Sequence, residues 1–147
     1  MLRRILGRYD LLVDTGDEEL APHLVPDGFR DYPVTAHIAR GVRPGQTACE
    51  AGANLGCDGV LMADLVGPRG QVHAAEPNPR LAELAGRSLA LNGLDTWARI
   101  HPAVGADRGD AVFRFRVDRS DPENGHSPAP CWPARHWTTS PRGRPTS

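Results

Sequence analysis

The sequence predicts an α/β fold in which helices cover the faces of an incomplete parallel sheet. Three observations carry this. A glycine-bearing turn, Glu50-Ala51-Gly52-Ala53-Asn54-Leu55-Gly56, joins the short apolar run Thr47-Ala48-Cys49 to a helical pattern. An acidic residue, Glu76, ends the next apolar run, in Ala75-Glu76-Pro77-Asn78-Pro79. Between residues 46 and 101, strand-like and helix-like segments alternate with short connections, an order that right-handed crossovers build into parallel strands ranked three, two, one.

Composition sets the limits. A chain of 147 residues supports one core but is short for a complete doubly wound sheet. The net charge of −1 argues against nucleic acid or an anionic membrane as the main partner, and no stretch is long and apolar enough to span a bilayer. Cys49, Cys57 and Cys131 form no Cys-x-x-Cys pair and have no metal-like spacing to the histidines, so neither a disulfide framework nor a metal site is expected. Cys49 reads as a buried strand residue, and the compartment as reducing and cytoplasmic.

From the start, Leu2, Ile5, Leu6 and Tyr9 recur at helical spacing among Arg3, Arg4 and Arg8, predicting a short amphipathic helix within an extension of residues 1–40. Pro22, Pro26 and Gly28 limit the next segment to one helical turn around residues 18–24. Asp31 caps a helix over residues 33–40, with Val34 and Ile38 inward, and Val42-Arg43-Pro44-Gly45 turns into the first strand, residues 46–51. The helix after the glycine turn, residues 55–66, has Leu61, Met62, Leu65 and Val66 on one side and stops at Gly67-Pro68. A second strand, 71–76, leads to Asn78 and Pro79 as cap and first residue of a second helix, whose core stripe is Leu81, Leu84, Ala85 and Leu91. Residues 96–101 make the third strand, which places His101 and Asp107 near its end, as loop residues rather than catalytic ones. Residues 111–117 alternate as an added strand. Beyond Val117 no Val, Ile, Leu, Met, Phe or Tyr occurs, so residues 118–147 read as a disordered tail, with Trp132 and Trp137 as its exceptions.

The order strand, helix, strand, helix, strand is the βαβαβ half of a nucleotide-binding fold. Glycines let the loop take positive φ and approach a ligand closely, the following helix turns its N–H groups to that ligand, and Glu76 stands at the distance from which a doubly wound fold reaches a ribose. A nicotinamide dinucleotide site needs glycine where Asn54 and Cys57 stand, which argues for a different cofactor.

The run Cys49-Glu50-Ala51-Gly52-Ala53-Asn54-Leu55-Gly56, then Val66-Gly67-Pro68-Arg69-Gly70-Gln71-Val72-His73-Ala74-Ala75-Glu76-Pro77-Asn78-Pro79 and Leu91-Asn92-Gly93-Leu94, resembles the FkbM-type S-adenosylmethionine-dependent methyltransferases. The likeness covers residues 41–117, with a weaker echo back to Gly16. It implies a Rossmann-like class I methyltransferase fold with S-adenosylmethionine as cofactor. Glu50 would help hold the amino-acid end of that cofactor, Gly52, Ala53, Asn54 and Gly56 would line its loop, and Glu76, followed by Pro77 and Asn78, would take the ribose hydroxyls. The implied reaction is O-methyl transfer to a hydroxyl of a sugar or natural product, with a small-molecule acceptor and no nucleic-acid or membrane partner. The family usually has an aromatic residue where Cys57 stands. Its later strands, which ordinarily supply the acceptor pocket and the base, have no counterpart here, so a truncated or frame-shifted product is expected, and the catalytic residue is not assigned. The alternative is a non-catalytic remnant that self-associates or binds a partner through an exposed strand edge.

Overall fold

A computed structural model describes residues 1–14, 16, 21–29, 31–102, 112–113 and 132–133. Its centre is a three-stranded parallel sheet of β3 (Thr47–Ala51), β4 (Gln71–Ala75) and β5 (Ala98–His101), with β4 in the middle. The register pairs Cys49 with His73, Ala51 with Ala75, and Ala75 with His101, so the three strands end side by side. The expected α/β fold and strand order are present.

Two crossover helices join the strands. In α3 (Cys57–Val66), Val60, Leu61, Met62, Ala63 and Val66 are all buried, so the helix is covered on more than one side. Gly67, at φ 64, ends it. Trp97 fastens this helix to the start of β5, its indole N–H donating to Ala63 O at 2.8 Å. The second helix, α4 (Pro79–Leu91), is capped by Asn78, whose side chain accepts from Arg80 N at 3.0 Å. Its buried stripe is Leu81, Ala85, Ser88 and Leu89; Leu91, expected inside, is 53% exposed. The stripe follows i, i+4, i+7 and i+8 spacing, and Leu91 lies outside that set.

The N-terminal segment departs from its expected helix. It forms an antiparallel hairpin of β1 (Leu2–Ile5) and β2 (Tyr9–Leu12). Leu6 and Gly7 both have positive φ, 49 and 65, and Arg8 N donates to Ile5 O at 3.0 Å, which is a type I′ turn. The deciding pattern is the alternation of Tyr9, Leu11 and Val13, all buried, which has a period of two and outweighs the helical spacing of Leu2, Ile5, Leu6 and Tyr9. The hairpin lies on α4. Leu12 N donates to Ser88 Oγ, Asp10 N to Asn92 Oδ1, and Asn92 Nδ2 back to Asp10 O. Polar side chains of a helix thus satisfy backbone groups that a neighbouring strand would otherwise take, which explains a fully buried serine. Tyr9 donates to Asp64 of α3 at 2.8 Å, and the Tyr9 hydroxyl is pushed up to about 12 by burial first and then by that carboxylate.

Between hairpin and sheet lie α1 (Ala21–Asp27) and α2 (Tyr32–Gly41). The first runs through Pro26, further than the single turn expected, and stops at Gly28, φ 71. Arg3 supplies donors to the carbonyls of Leu24 and Pro26, and Gly28 O accepts from Leu6 N at 2.8 Å. Asp31 caps α2 as expected, accepting from Val34 N at 3.3 Å. Ile38 packs on the core, whereas Val34, expected inward, is exposed.

Because α3 and α4 both follow right-handed crossovers in sequential order, they cover one face of the sheet. On the other face Thr47, Cys49, Gln71 and Arg99 are exposed. Cys49 is therefore a solvent-facing strand residue, not the core residue expected, because no described helix lies over its side of β3. Of the added strand expected over residues 111–117, the described part is β6 (Val112–Phe113), which pairs antiparallel with β7 (Trp132–Pro133). The rest of the expected tail, Trp137 included, lies outside the described residues, as does Asp107. No helix among the described residues is long and apolar enough to cross a membrane.

Candidate cofactor site

The glycine turn leaves β3 through three residues of positive φ: Gly52 at 84, Asn54 at 50 and Gly56 at 85. Each glycine has its own reason. A Cβ on Gly52 would meet nothing within 4 Å, so only the backbone angle demands glycine there. A Cβ on Gly56 would come within 2.9 Å of Ala85 Cβ, so this glycine also lets α4 approach the start of α3. Gly52 N and Ala53 N both donate to Ala75 O, at 2.9 and 3.0 Å, and tie the loop to the end of β4.

Glu76 locks this arrangement. One carboxylate oxygen accepts from Asn54 N at 2.7 Å and the other from Asn78 N at 2.8 Å, while its own N–H donates to His101 O at 2.9 Å. The side chain is 5% exposed. A carboxylate has about four lone-pair sites, so two remain for further donors.

A cavity of about 210 Å³ adjoins the loop. One wall is Glu50, Gly52, Ala53, Asn54, Leu55, Cys57 and Asp58. The opposite wall comes from the hairpin turn, α1 and the start of α2, with Leu6, Leu24, Phe29, Asp31, Val34 and Thr35. Its described lining includes no Lys, Arg or His. Glu50 is pushed up to about 8, by burial first and then by the charges of Asp58 and Glu76. Glu50 Oε2 and Asn54 Oδ1 are both buried without a hydrogen-bond partner. Two such acceptors, one near the end of β3 and one in the loop that follows it, call for donors.

The structure thus brings Glu50, Gly52, Ala53 and Asn54 together on one cavity and Gly56 directly behind them. Glu76, Pro77 and Asn78 sit beside the loop but outside the cavity's lining; Asn78 uses its side chain as a helix cap and its N–H on Glu76. His101 closes β5, as the strand expected over residues 96–101 has it and not as a residue of the loop beyond, and its Nε2 stands 3.3 Å from His73 Nδ1. Burial, then His73, then Arg99 lowers His101 below the usual histidine range. Among the described residues no group of three or more His, Cys, Asp or Glu is placed to hold a metal ion. Sequence reading missed the N-terminal wall. Its one signal was Phe29, a large apolar residue in a stretch otherwise punctuated by proline and glycine.

No family model matches the sequence, and no curated protein matches it. Solved structures do. An S-adenosylmethionine-dependent O-methyltransferase of Thermotoga maritima superposes with a TM-score of 0.50 at 23% identity, over 69% of this chain and 40% of that one. The aTrm5 protein in its complex with tRNALeu superposes with a TM-score of 0.52 at 22% identity, over 68% of this chain and 27% of that one. TrmN of Thermus thermophilus has a TM-score of 0.47 at 22% identity, over 58% of this chain and 26% of that one. The chain therefore corresponds to less than half the length of each of these proteins. Its fold is the Rossmann-like fold of class I methyltransferases. The expectation of a small-molecule acceptor with no nucleic acid is corrected here, because a protein of this fold is solved with tRNA bound. Net charge near zero was a poor guide: it averages over the whole chain, and a nucleic-acid surface is a local property.

Proposed function

We propose that residues 41–117 are the cofactor-binding unit of an S-adenosylmethionine-dependent methyltransferase, with residues 1–40 as an extension packed on it and 118–147 as a tail. The observation that carries this reading is the pair of orphaned buried acceptors, Glu50 Oε2 and Asn54 Oδ1, in a cavity whose described lining holds acids and no Lys, Arg or His. S-adenosylmethionine carries a sulfonium and an ammonium against one carboxylate, a net positive charge that suits such a lining. A pyrophosphate-bearing dinucleotide, net negative, would meet Asp31 and Asp58 with no cation in the described lining to offset it. Glu50 and Asn54 would receive the donors of the amino-acid end, the glycines would allow close backbone approach, and Glu76 would accept from ribose hydroxyls with its two remaining lone-pair sites. When bound, the cofactor supplies an electrophilic methyl group; the chain's part is to orient it and keep water from it.

The motif resemblance supports an FkbM-type enzyme that methylates a hydroxyl, and the matched folds support methyl transfer in general. Calorimetric titration of the whole chain with S-adenosylmethionine tests the proposal. Saturable binding is expected, weakened at least tenfold, about 1.4 kcal/mol, by Glu76→Ala. A folded wild-type protein that gives no heat overturns it.

A further inference from the structure

The cavity beside the glycine loop has a second wall that the cofactor residues do not account for. Of the large apolar side chains exposed at the surface, three converge there from separate elements: Leu6 from the hairpin turn at 37%, Phe29 after α1 at 41%, and Val34 in the first turn of α2 at 42%. Isolated exposed apolar residues are ordinary, but three sharing one concavity mark a surface shaped for a ligand. They are held in place. Leu6 is fixed by its N–H on Gly28 O, Gly28 stands directly before Phe29, and Val34 is fixed by its N–H on the Asp31 carboxylate. A Cβ on Gly28 would lie 3.2 Å from Arg4 O, so the chain before Phe29 passes close against the hairpin. Asp31 and Thr35 add polar groups at the same rim.

Size and charge narrow the occupant. A cavity of about 210 Å³ is smaller than a pocket for a whole nucleoside cofactor, but exceeds the ~150 Å³ that takes a benzene ring. Asp31 and Asp58 line it with no cation among the described lining, which disfavours an anionic group and favours a donor. We propose that this N-terminal wall is the acceptor side of the site: Leu6, Phe29 and Val34 seat a ring-sized apolar group, whose hydrogen-bond donor, neutral or cationic, faces Asp31 and Thr35 on the same wall and leaves Glu50 and Asn54 to the cofactor. This rests on the cofactor reading above, and it relocates the acceptor wall from the later strands, where the motif resemblance put it, to the residues that precede β3.

Three probes of one shape and different charge test it on the full chain by amide NMR titration: benzylamine, benzyl alcohol and benzoate. Benzylamine should shift the amides of Leu6, Phe29 and Val34, benzyl alcohol should do so more weakly, and benzoate should not. Phe29→Ser and Val34→Ser, both at exposed positions, should each reduce benzylamine affinity about tenfold, about 1.4 kcal/mol, and leave both the melting temperature and the affinity for S-adenosylhomocysteine unchanged. Benzylamine must still bind when S-adenosylhomocysteine is saturating; displacement would assign the whole cavity to the cofactor and overturn the acceptor assignment. Benzoate binding as well as benzylamine, or probe binding indifferent to both substitutions, also overturns it. Cofactor binding without benzylamine binding defeats this inference alone. Benzylamine binding without cofactor binding defeats the methyltransferase reading and leaves a ring site of other use.

Discussion

Glu50 is the residue whose chemistry departs furthest from its free value. Burial, then the charges of Asp58 and Glu76, push it up to about 8 from the ordinary carboxylate value of 4.5, so between those limits the folded state holds a proton that the unfolded state has released. The sign follows by linkage: stability is greatest at and below pH 4.5 as far as this group is concerned, and falls as pH rises through about 8, where a buried carboxylate must charge beside Asp58 and Glu76. Glu50→Gln should therefore be more stable than wild type at pH 8.5 and differ little near pH 5, as urea melts at the two pH values would show. Parallel pH profiles for the two proteins would contradict the assignment. Gly56 gives a second expectation at this scale. With φ at 85 and Ala85 Cβ only 2.9 Å from where its own Cβ would be, Gly56→Ala should cost roughly 1–3 kcal/mol. Gly52→Ala, strained but uncrowded, should cost less. Chemical denaturation of both variants decides whether crowding or backbone angle dominates in this loop.

Among the elements, the sheet and its crossover helices were legible because their signals are local: Gly67-Pro68 after α3, Asn78-Pro79 before α4, and apolar runs between turns. The hairpin was not. Leu2, Ile5, Leu6 and Tyr9 fit a helix, the period-two alternation of Tyr9, Leu11 and Val13 opposes it, and the alternation prevails because β2 docks onto Ser88 and Asn92, a contact that no local pattern encodes. That docking is itself testable. Ser88→Ala would leave the Leu12 N–H buried without an acceptor, at a cost of about 1–3 kcal/mol. Hydrogen exchange should then show early loss of protection at Leu12 while β4 stays protected. Equal loss at both would mean that hairpin and sheet unfold as one unit. The placement of Leu91 failed for a related reason, since the inward face of α4 is set by β2, β5 and α3 together and not by leucine content.

At the level of the whole molecule, the two faces of the sheet differ, and cysteine chemistry can report on both. Cys49 is exposed on the face without helices, and Cys57 is half-buried on the cavity wall. Iodoacetamide labelling followed peptide by peptide should modify Cys49 first, and S-adenosylhomocysteine should slow Cys57 without affecting Cys49. Equal protection of the two would place the cofactor elsewhere. The geometry of the glycine loop was readable from sequence because Gly52, Asn54 and Gly56 take positive φ there and Glu76 accepts from its backbone, which residue type reveals directly. The opposite wall was not, since Leu6, Phe29 and Val34 are ordinary apolar residues until the fold gathers them.

The bonds between β2 and α4 have a consequence for the order of assembly. Leu12 meets Ser88 and Asp10 meets Asn92 across separations of 76 and 82 residues. During synthesis the hairpin strands must wait for a helix made much later, while each βαβ unit closes over a short span. Contacts of long sequence separation form late as a rule. On that rule the turn carrying Gly52, Asn54 and Gly56 is expected to settle with Glu76 before the hairpin does, and Leu6, at the hairpin turn, is expected to join the cavity wall last.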